Sequence, residues 1–384
     1  MTPPEPHAVV SERSGPGTTA RTSPRTTART TARTSAAPFT ALAAEVRDSG
    51  LLRRRYGYYA AQVAACVAAL VGVAVLVLVL GDTWWQLVPA AVLGLVVTQL
   101  GFLGHDAAHR QVFVGARAND WAARLLSGAG AGLSYGWWRG KHNQHHAAPN
   151  QEGRDPDIAP GVLAFTAEIA GARDTGPAGW FVRHQGWLFF PLLTLEGANL
   201  HWASVRTLLG RAPVRHRWAE LALVTTRLGG YVVALFLVLP PGKAAAFLAV
   251  QMAVFGVCLG GSFAPNHKGM PIVPRGARLD FLRRQVLMSR NVRGGPVVDV
   301  AMGGLNYQIE HHLFPSMPRP NLRRVQPLVR AHCARHGIAY TEVGLLESYA
   351  IVVGYLNHVG LRARDPFQCP LSAALRESGP PGAG

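Results

Sequence analysis

The sequence predicts an all-α integral membrane protein, with four transmembrane helices arranged as two hairpins and the large loops on the cytoplasmic side. Three observations predict it. The 384-residue chain is 49% hydrophobic and only 15% charged, and its apolar residues gather in long uncharged runs rather than mixing with the charges as in a soluble domain. Its formal charge of +17 comes almost wholly from arginines that flank those runs. Compact histidine clusters fall at run ends and in the loops on a single predicted side.

Residues 1–38 are rich in Pro, Ser, Thr, Ala and Arg, with a crude repeat in Arg25-Thr-Thr-Ala-Arg29-Thr-Thr-Ala-Arg33. Nothing there can build a core, and the segment is expected to be a disordered tail without a secretory h-region. The main domain is expected over residues 39–345, followed by a partly disordered C-terminal extension over 346–384. Tyr58 to Leu80 is an uncharged run of 23 residues, enough to cross a ~30 Å hydrocarbon core at ~1.5 Å per residue. Gly81-Asp82-Thr83 makes a turn. Trp84 to Gly104 then returns the chain, with Trp84 and Trp85 placed for an interfacial aromatic belt.

The stretch from His105 to Arg217 is mixed and basic, and is expected to lie mostly outside the bilayer. Within it Gln185 to Trp202 is apolar but interrupted by Pro191 and Glu196, which reads as an interfacial or re-entrant segment. A third span is expected over Ala219 to Leu239, with Arg227 snorkelling or lining a cavity. Pro240-Pro241-Gly242 turns the chain into a fourth span, Ala244 to Pro265. Beyond it the chain is polar apart from a short run, Tyr349–Leu356.

Arginines and lysines set the orientation. Arg53, Arg54 and Arg55 precede the first run, and Arg110, Arg117, Arg124, Arg139 and Lys141 follow the second. Arg206, Arg211, Arg215 and Arg217 precede the third, and Lys268, Arg275, Arg278, Arg283 and Arg284 follow the fourth. The positive-inside rule then puts both termini and the large loops in the cytoplasm. The Arg-over-Lys and Ala/Gly bias gives the impression of a bacterial cytoplasmic membrane protein. Charge placed in this way serves a membrane surface, and with no nucleic-acid-binding motif no nucleic-acid partner is expected. Cys66, Cys258, Cys333 and Cys369 show no C-x-x-C spacing and are expected to be inert thiols.

Eight of the fifteen histidines form the chemistry-bearing pattern. His105 and His109 are spaced i, i+4 at the cytoplasmic exit of the second run, which stacks their rings on one helical face. His142, His145 and His146 converge at i, i+3, i+4, and His311 and His312 repeat that geometry with Gln308 in the first position. His267 ends the fourth run. One such box arises by chance in a few per cent of chains of this composition, but three carried to one membrane face do not. Eight imidazoles exceed the four ligands of one zinc and suit two five- or six-coordinate ions. Imidazole serves Zn, Cu, Fe and Ni alike, and the Glu-x-x-His pattern of soluble di-iron bundles is absent. The residues alone therefore indicate a dinuclear metal site, with iron preferred.

Over about residues 50 to 345 the chain resembles the membrane fatty acid desaturase family. The resemblance rests on Gly104-His-Asp-Ala-Ala-His109, Lys141-His-Asn-Gln-His-His146, Asp155-Pro-Asp157 and Gly304-Leu-Asn-Tyr-Gln-Ile-Glu-His-His-Leu-Phe-Pro315. The Gln-x-x-His-His form is similar to the front-end, linoleoyl-CoA-type subgroup, which inserts a double bond between an existing one and the carboxyl end. The resemblance implies a cytoplasmic cap holding two iron ions (Fe2+/Fe3+), with O2 as co-substrate and an acyl-CoA or membrane-lipid substrate. By motif position it makes His105, His109, His142, His145, His146, His311 and His312 ligands, with His267 an eighth and no catalytic residue separate from the metal ligands. Gln308 is a possible further ligand. Asp106, Asn143, Glu310, Asn306, Asp155 and Asp157 are candidates to orient the imidazoles. Fused members of the subgroup carry a His-Pro-Gly-Gly haem motif that is not found here, so two electrons are expected from a separate donor of ferredoxin or reductase type.

Trp137, Trp138 and Trp187 either wall an acyl tunnel or anchor the interface, and Glu196 and His201 are further candidates to support the site. His184 and His216 lack cluster spacing, and His332, His336 and His358 are expected to be solvated. A hydroxylase, ketolase or sphingolipid-modifying enzyme would use the same boxes. A metal transporter would instead place its ligands near the bilayer midplane on broken helices.

Overall fold

A computed structural model describes residues 38–173 and 175–361. The expected tail, apart from residue 38, and the extension beyond 361 with Cys369 lie outside the described residues. Four helices are long and apolar enough to cross a membrane: Tyr56–Leu80 (α1), Trp84–Ala108 (a short 3-10 turn followed by α2, Leu87–Ala108), Arg217–Val238 (α7) and Pro241–His267 (α8). Each matches an apolar run of the sequence to within a few residues, the third despite Glu220 and Arg227 within it. The second and fourth run further than their apolar stretches, so that His105 and His267 occupy the last turns of α2 and α8.

The surfaces of these helices differ as lipid-facing and packed helices do. In α1 and α7 just 11% of the central window is buried, against 61% in Trp84–Ala108. Val67, Val71, Leu78 and Val79 of α1 and Val233 and Leu237 of α7 are fully exposed apolar side chains. Such a continuous apolar belt is not tolerated in water. The buried helices instead carry the contacts: α2 packs on α1 and on α8.

Between α2 and α7 run α3 (Ala116–Arg124), a π-helical stretch Leu125–Ala131, α4 (Tyr135–Ala147), α5 (Ala167–Gly171) and α6 (Gly176–Leu209). The Gln185–Trp202 segment does not re-enter: it lies within α6, one continuous helix of 34 residues. Pro191 is accommodated inside it at the loss of one backbone hydrogen bond. α6 crosses α8 at close range, because a Cβ on Gly256 would lie 2.3 Å from the Leu193 carbonyl oxygen and 2.7 Å from the Gly197 amide nitrogen. Small residues allow such approaches between membrane helices.

After α8 come α9 (Phe281–Leu287), β1 (Asn291–Arg293), α10 (Pro296–Ala301), α11 (Gln308–Leu313), α12 (Arg319–Arg335), β2 (Glu342–Gly344) and α13 (Leu345–Gly360). β1 and β2 pair in parallel, Asn291 opposite Glu342, a minor addition to a mostly helical fold. The short run Tyr349–Leu356 belongs to α13, which packs along α6. Pro265 inside α8 cannot donate to the Gly261 carbonyl, and the Tyr349 hydroxyl takes that acceptor at 3.1 Å. The buried Arg290 then closes the end of α8, donating to the carbonyls of Pro265 and Lys268. Together these hold His267 in place.

Candidate metal centre

Four chain segments bring the histidines together. α2 ends in the first pair, α4 carries the second box, α8 delivers His267, and α11 carries Gln308, His311 and His312. Serine begins α4 as its N-cap, with the Ser134 hydroxyl accepting from the Trp137 amide at 3.2 Å. The box rings at 142, 145 and 146 then share a face by helical period, while Asn143 points to solvent. Gly104 lets α2 approach the π-helical stretch, since a Cβ there would sit 2.3 Å from the Ser127 hydroxyl oxygen.

The imidazoles fall into two groups. His105, His109, His142 and His311 offer ring nitrogens within 4.8 Å of one another, as do His145, His267 and His312. His146 stands between them: its Nε2 is 2.9 Å from Nε2 of His142 and its ring stacks on His312 with centroids 4.1 Å apart.

Hydrogen bonding fixes the protons in the second group. Nδ1 of His145 faces both carboxylate oxygens of Asp155, at 3.1 and 3.0 Å. Nδ1 of His267 faces the Met288 carbonyl at 3.0 Å. Nδ1 of His312 faces Oε1 of Gln285 at 2.9 Å, and that amide is oriented by its own donation to the His146 carbonyl. All three partners only accept, so each neutral ring carries its proton on Nδ1 and turns the lone pair of Nε2 inward, that of His267 lying beside the Gln308 amide nitrogen. Yet Nε2 of His145 lies 3.2 Å from Nε2 of His267. Two lone pairs at that distance repel unless a cation lies between the rings. Nε2 of His105, Nε2 of His312 and both nitrogens of His311 are likewise buried with no hydrogen-bond partner among the described residues.

Burial, reinforced by neighbouring imidazoles, pushes His109, His142, His146, His311 and His312 well below the usual histidine range. Neutral rings keep the lone pair that a metal requires. The donor set therefore fits a metal: the nitrogens are buried, those of His105, His311 and His312 include unpartnered ones, and the rings of His145, His267 and His312 are held from behind by acceptors.

The other expected side chains divide. Asp155 also accepts from the backbone amides of Asn150 and Asp157, at 2.7 and 2.9 Å. An oxygen of Asp157 lies 3.4 Å from Nδ1 of His145. Asp106 sits 3.4 Å from Nδ1 of His105 and is itself held at 2.7 Å by the buried Arg319. The Gln308 amide nitrogen lies 2.9 Å from Nε2 of His267 and its oxygen takes the Asn266 amide. Glu310 faces away from the rings, accepting from Asn291 and from Tyr340 at 2.7 Å each, and burial lifts its carboxyl to about 7. Asn306 donates to Asp299 instead. His201 is a buried core histidine that donates to the Ala131 carbonyl. His332 is buried against His336 rather than solvated.

A cavity of about 580 Å³ opens beside the rings of His105, His142, His145 and His267, with apolar walls from α2, α6 and α8. Trp137 and Trp138 line it, and Trp138 stacks on His142 with centroids 4.2 Å apart. Trp187 is 71% exposed and is no part of the wall.

The family model described as fatty acid desaturase matches residues 82–344. The chain belongs to the fatty acid desaturase family. An acyl-lipid (9-3)-desaturase of Physcomitrium patens is 31% identical over 73% of this chain and 54% of its own length, so the chain spans about half of that relative. A delta(8)-fatty-acid desaturase of Helianthus annuus is 26% identical over 85% of this chain and 74% of its own length. The delta(6)-fatty-acid desaturase fat-3 of Caenorhabditis elegans is 28% identical over 84% and 74%. These are plant and animal proteins, and they lend no support to a bacterial origin or a cytoplasmic-facing site.

Several residues that hold the candidate ligands escaped sequence reasoning. Gln285 and the Met288 carbonyl reach the rings, and Arg319 reaches Asp106, only through tertiary contacts, and no spacing signal marks them. Arg319 follows the third box closely, but its partner Asp106 is more than two hundred positions away.

Proposed function

We propose that this desaturase introduces a double bond into a fatty acyl chain, acyl-CoA or acyl-lipid, at a histidine-bound di-iron centre. The opposed Nε2 lone pairs of His145 and His267 are the observation that carries the metal reading. His105, His109, His142, His146 and His311 would hold one iron, and His145, His267 and His312 the other, with Gln308 beside it. When bound, two irons with O2 and two electrons from a separate ferredoxin- or reductase-type donor supply the oxidising power to remove two hydrogens from unactivated methylenes, which no side chain can do. The chain's own groups position and protect. Asp155, Gln285 and the Met288 carbonyl orient the imidazoles, and the cavity walls keep the acyl chain dry and in register. The Gln-x-x-His-His form of the third box and the relatives' printed names support a front-end regiochemistry. Insertion as two hairpins, with the histidines and both termini cytoplasmic, is supported by the arginine distribution.

Replacing His145 or His312 with Ala is expected to abolish both bound iron and unsaturated product in a host lacking such enzymes. Product mass decides the chemistry: loss of two hydrogens fits desaturation, whereas gain of an oxygen makes the protein a hydroxylase or ketolase.

A further inference from the structure

Lysine is rare in this chain: of 38 basic residues only Lys141, Lys243 and Lys268 are not arginine. Two of the three, Lys141 and Lys268, line the cavity that opens on the histidines. Lys141 pairs with Asp157 at 2.8 Å. Lys268 is half-buried, donates to the backbone carbonyl of Asp157 at 2.9 Å and lies over the Phe165 ring at 4.1 Å. No carboxylate is in ion-pair contact with Lys268 among the described residues. The only other carboxylate on the cavity wall, Glu196, accepts from Asn199. Asp157 and Asp155 partly offset the Lys268 charge, but Asp157 is also paired with Lys141, so two ammoniums share one carboxylate of the cavity wall and an anion at this end of the cavity would complete the balance.

We propose that Lys268, with Lys141 beside it, binds a phosphate-bearing head group at the carboxyl end of the acyl substrate. Resting on the desaturase reading above, this contact counts the carbons between head group and metal centre. Lys141 precedes His142 and Lys268 follows His267, so each ammonium is tied to a candidate ligand through one peptide unit, ~3.8 Å from Cα to Cα. An anchor coupled so directly to the centre holds the chain in one register. A double bond placed relative to the carboxyl end needs an anchor at that end.

The test uses the full-length protein purified with its metal and two sixteen-carbon probes, hexadecyl phosphate and hexadecanol. Wild type is expected to hold the phosphate about tenfold tighter than the alcohol. Lys268→Met, and more fully Lys141→Met with Lys268→Met, should erase that ratio with iron content unchanged. Lys268→Arg should restore it, and Lys243→Met should leave it intact. Equal affinity for both probes in wild type, or an unchanged ratio in the double variant, overturns the proposal. Displacement of hexadecyl phosphate by lysophosphatidylcholine names a phospholipid as the source and displacement by palmitoyl-CoA a CoA thioester; displacement by neither overturns the site. With acyl substrate, Lys268→Met should also spread the double bond over neighbouring carbons, and a product identical to wild type counts against the anchor. A wild-type protein that shows the phosphate preference yet forms no unsaturated product refutes the desaturase reading and leaves the head-group site standing.

Discussion

At the level of single side chains, the behaviour of the centre turns on where His145, His267 and His312 carry their protons. A carboxylate, a backbone carbonyl and an oriented amide each fix Nδ1–H, and the lone pairs are thereby aimed inward before any metal arrives. Asp155 does most in this respect, since it accepts from His145 and two backbone amides. Asp155→Asn would put an amide N–H against at least one of those donors. Orienting partners of this kind typically cost about 10–100-fold in metal affinity when removed, so Asp155→Asn should weaken iron binding by that order. Competition with a chelator of known affinity measures it, and wild-type affinity would refute the assigned role. The grouping of the candidate histidines was legible because helical spacing acts locally: i, i+3 and i+4 are neighbours whatever the rest of the chain does. Gln285 and Arg319 were not legible, because their partners His312 and Asp106 belong to other segments. Asn143 had the right chemistry and the wrong phase, on the solvent side of the box helix.

Among the elements, spans were readable and close packing was not. Apolar runs marked the four long helices, but the continuation of α2 into His105 and of α8 into His267 depends on contacts with the cap. Pro191 and Glu196 interrupt α6 as sequence without breaking it as a helix, because a proline costs one hydrogen bond and neighbouring helices supply the rest. The three-residue strands have too little length to show a period. Glycine positions offer a direct check. Gly104→Val and Gly256→Leu force side chains into space held by Ser127 and by the α6 backbone, and each should destabilise by about 1–3 kcal/mol. Gly57→Ala in α1 meets nothing within 4 Å, and should stabilise by about 0.5–1 kcal/mol. Thermal unfolding in a fixed detergent compares the three, and similar shifts for all would contradict the packing described.

For the whole molecule, the centre is also a tie between distant parts of the fold. Histidines of α2, α4, α8 and α11 meet at one place, joining the spans to the cap. A ligand that binds only the folded state stabilises it by mass action, about 2.7 kcal/mol at one hundred times the dissociation constant. Stripping metal with a chelator should therefore lower the unfolding midpoint and expose the third-box segment to protease first, while α1 stays protected. Hydrogen exchange on α11 and α1 would show it, and equal loss of protection in both would argue against such a tie.

The scattering of these ligands also has a meaning in time. His105 is synthesised some two hundred residues before His312, and at translation rates of about 5–20 residues per second the interval is tens of seconds. Through that interval α2 and α4 must present an incomplete set of imidazoles to the cell's metal pool, with the partners that complete both groups still inside the ribosome or unmade. Metal loading at the candidate centre would thus be a late event of biogenesis, with a window in which a wrong cation could be captured by half a site.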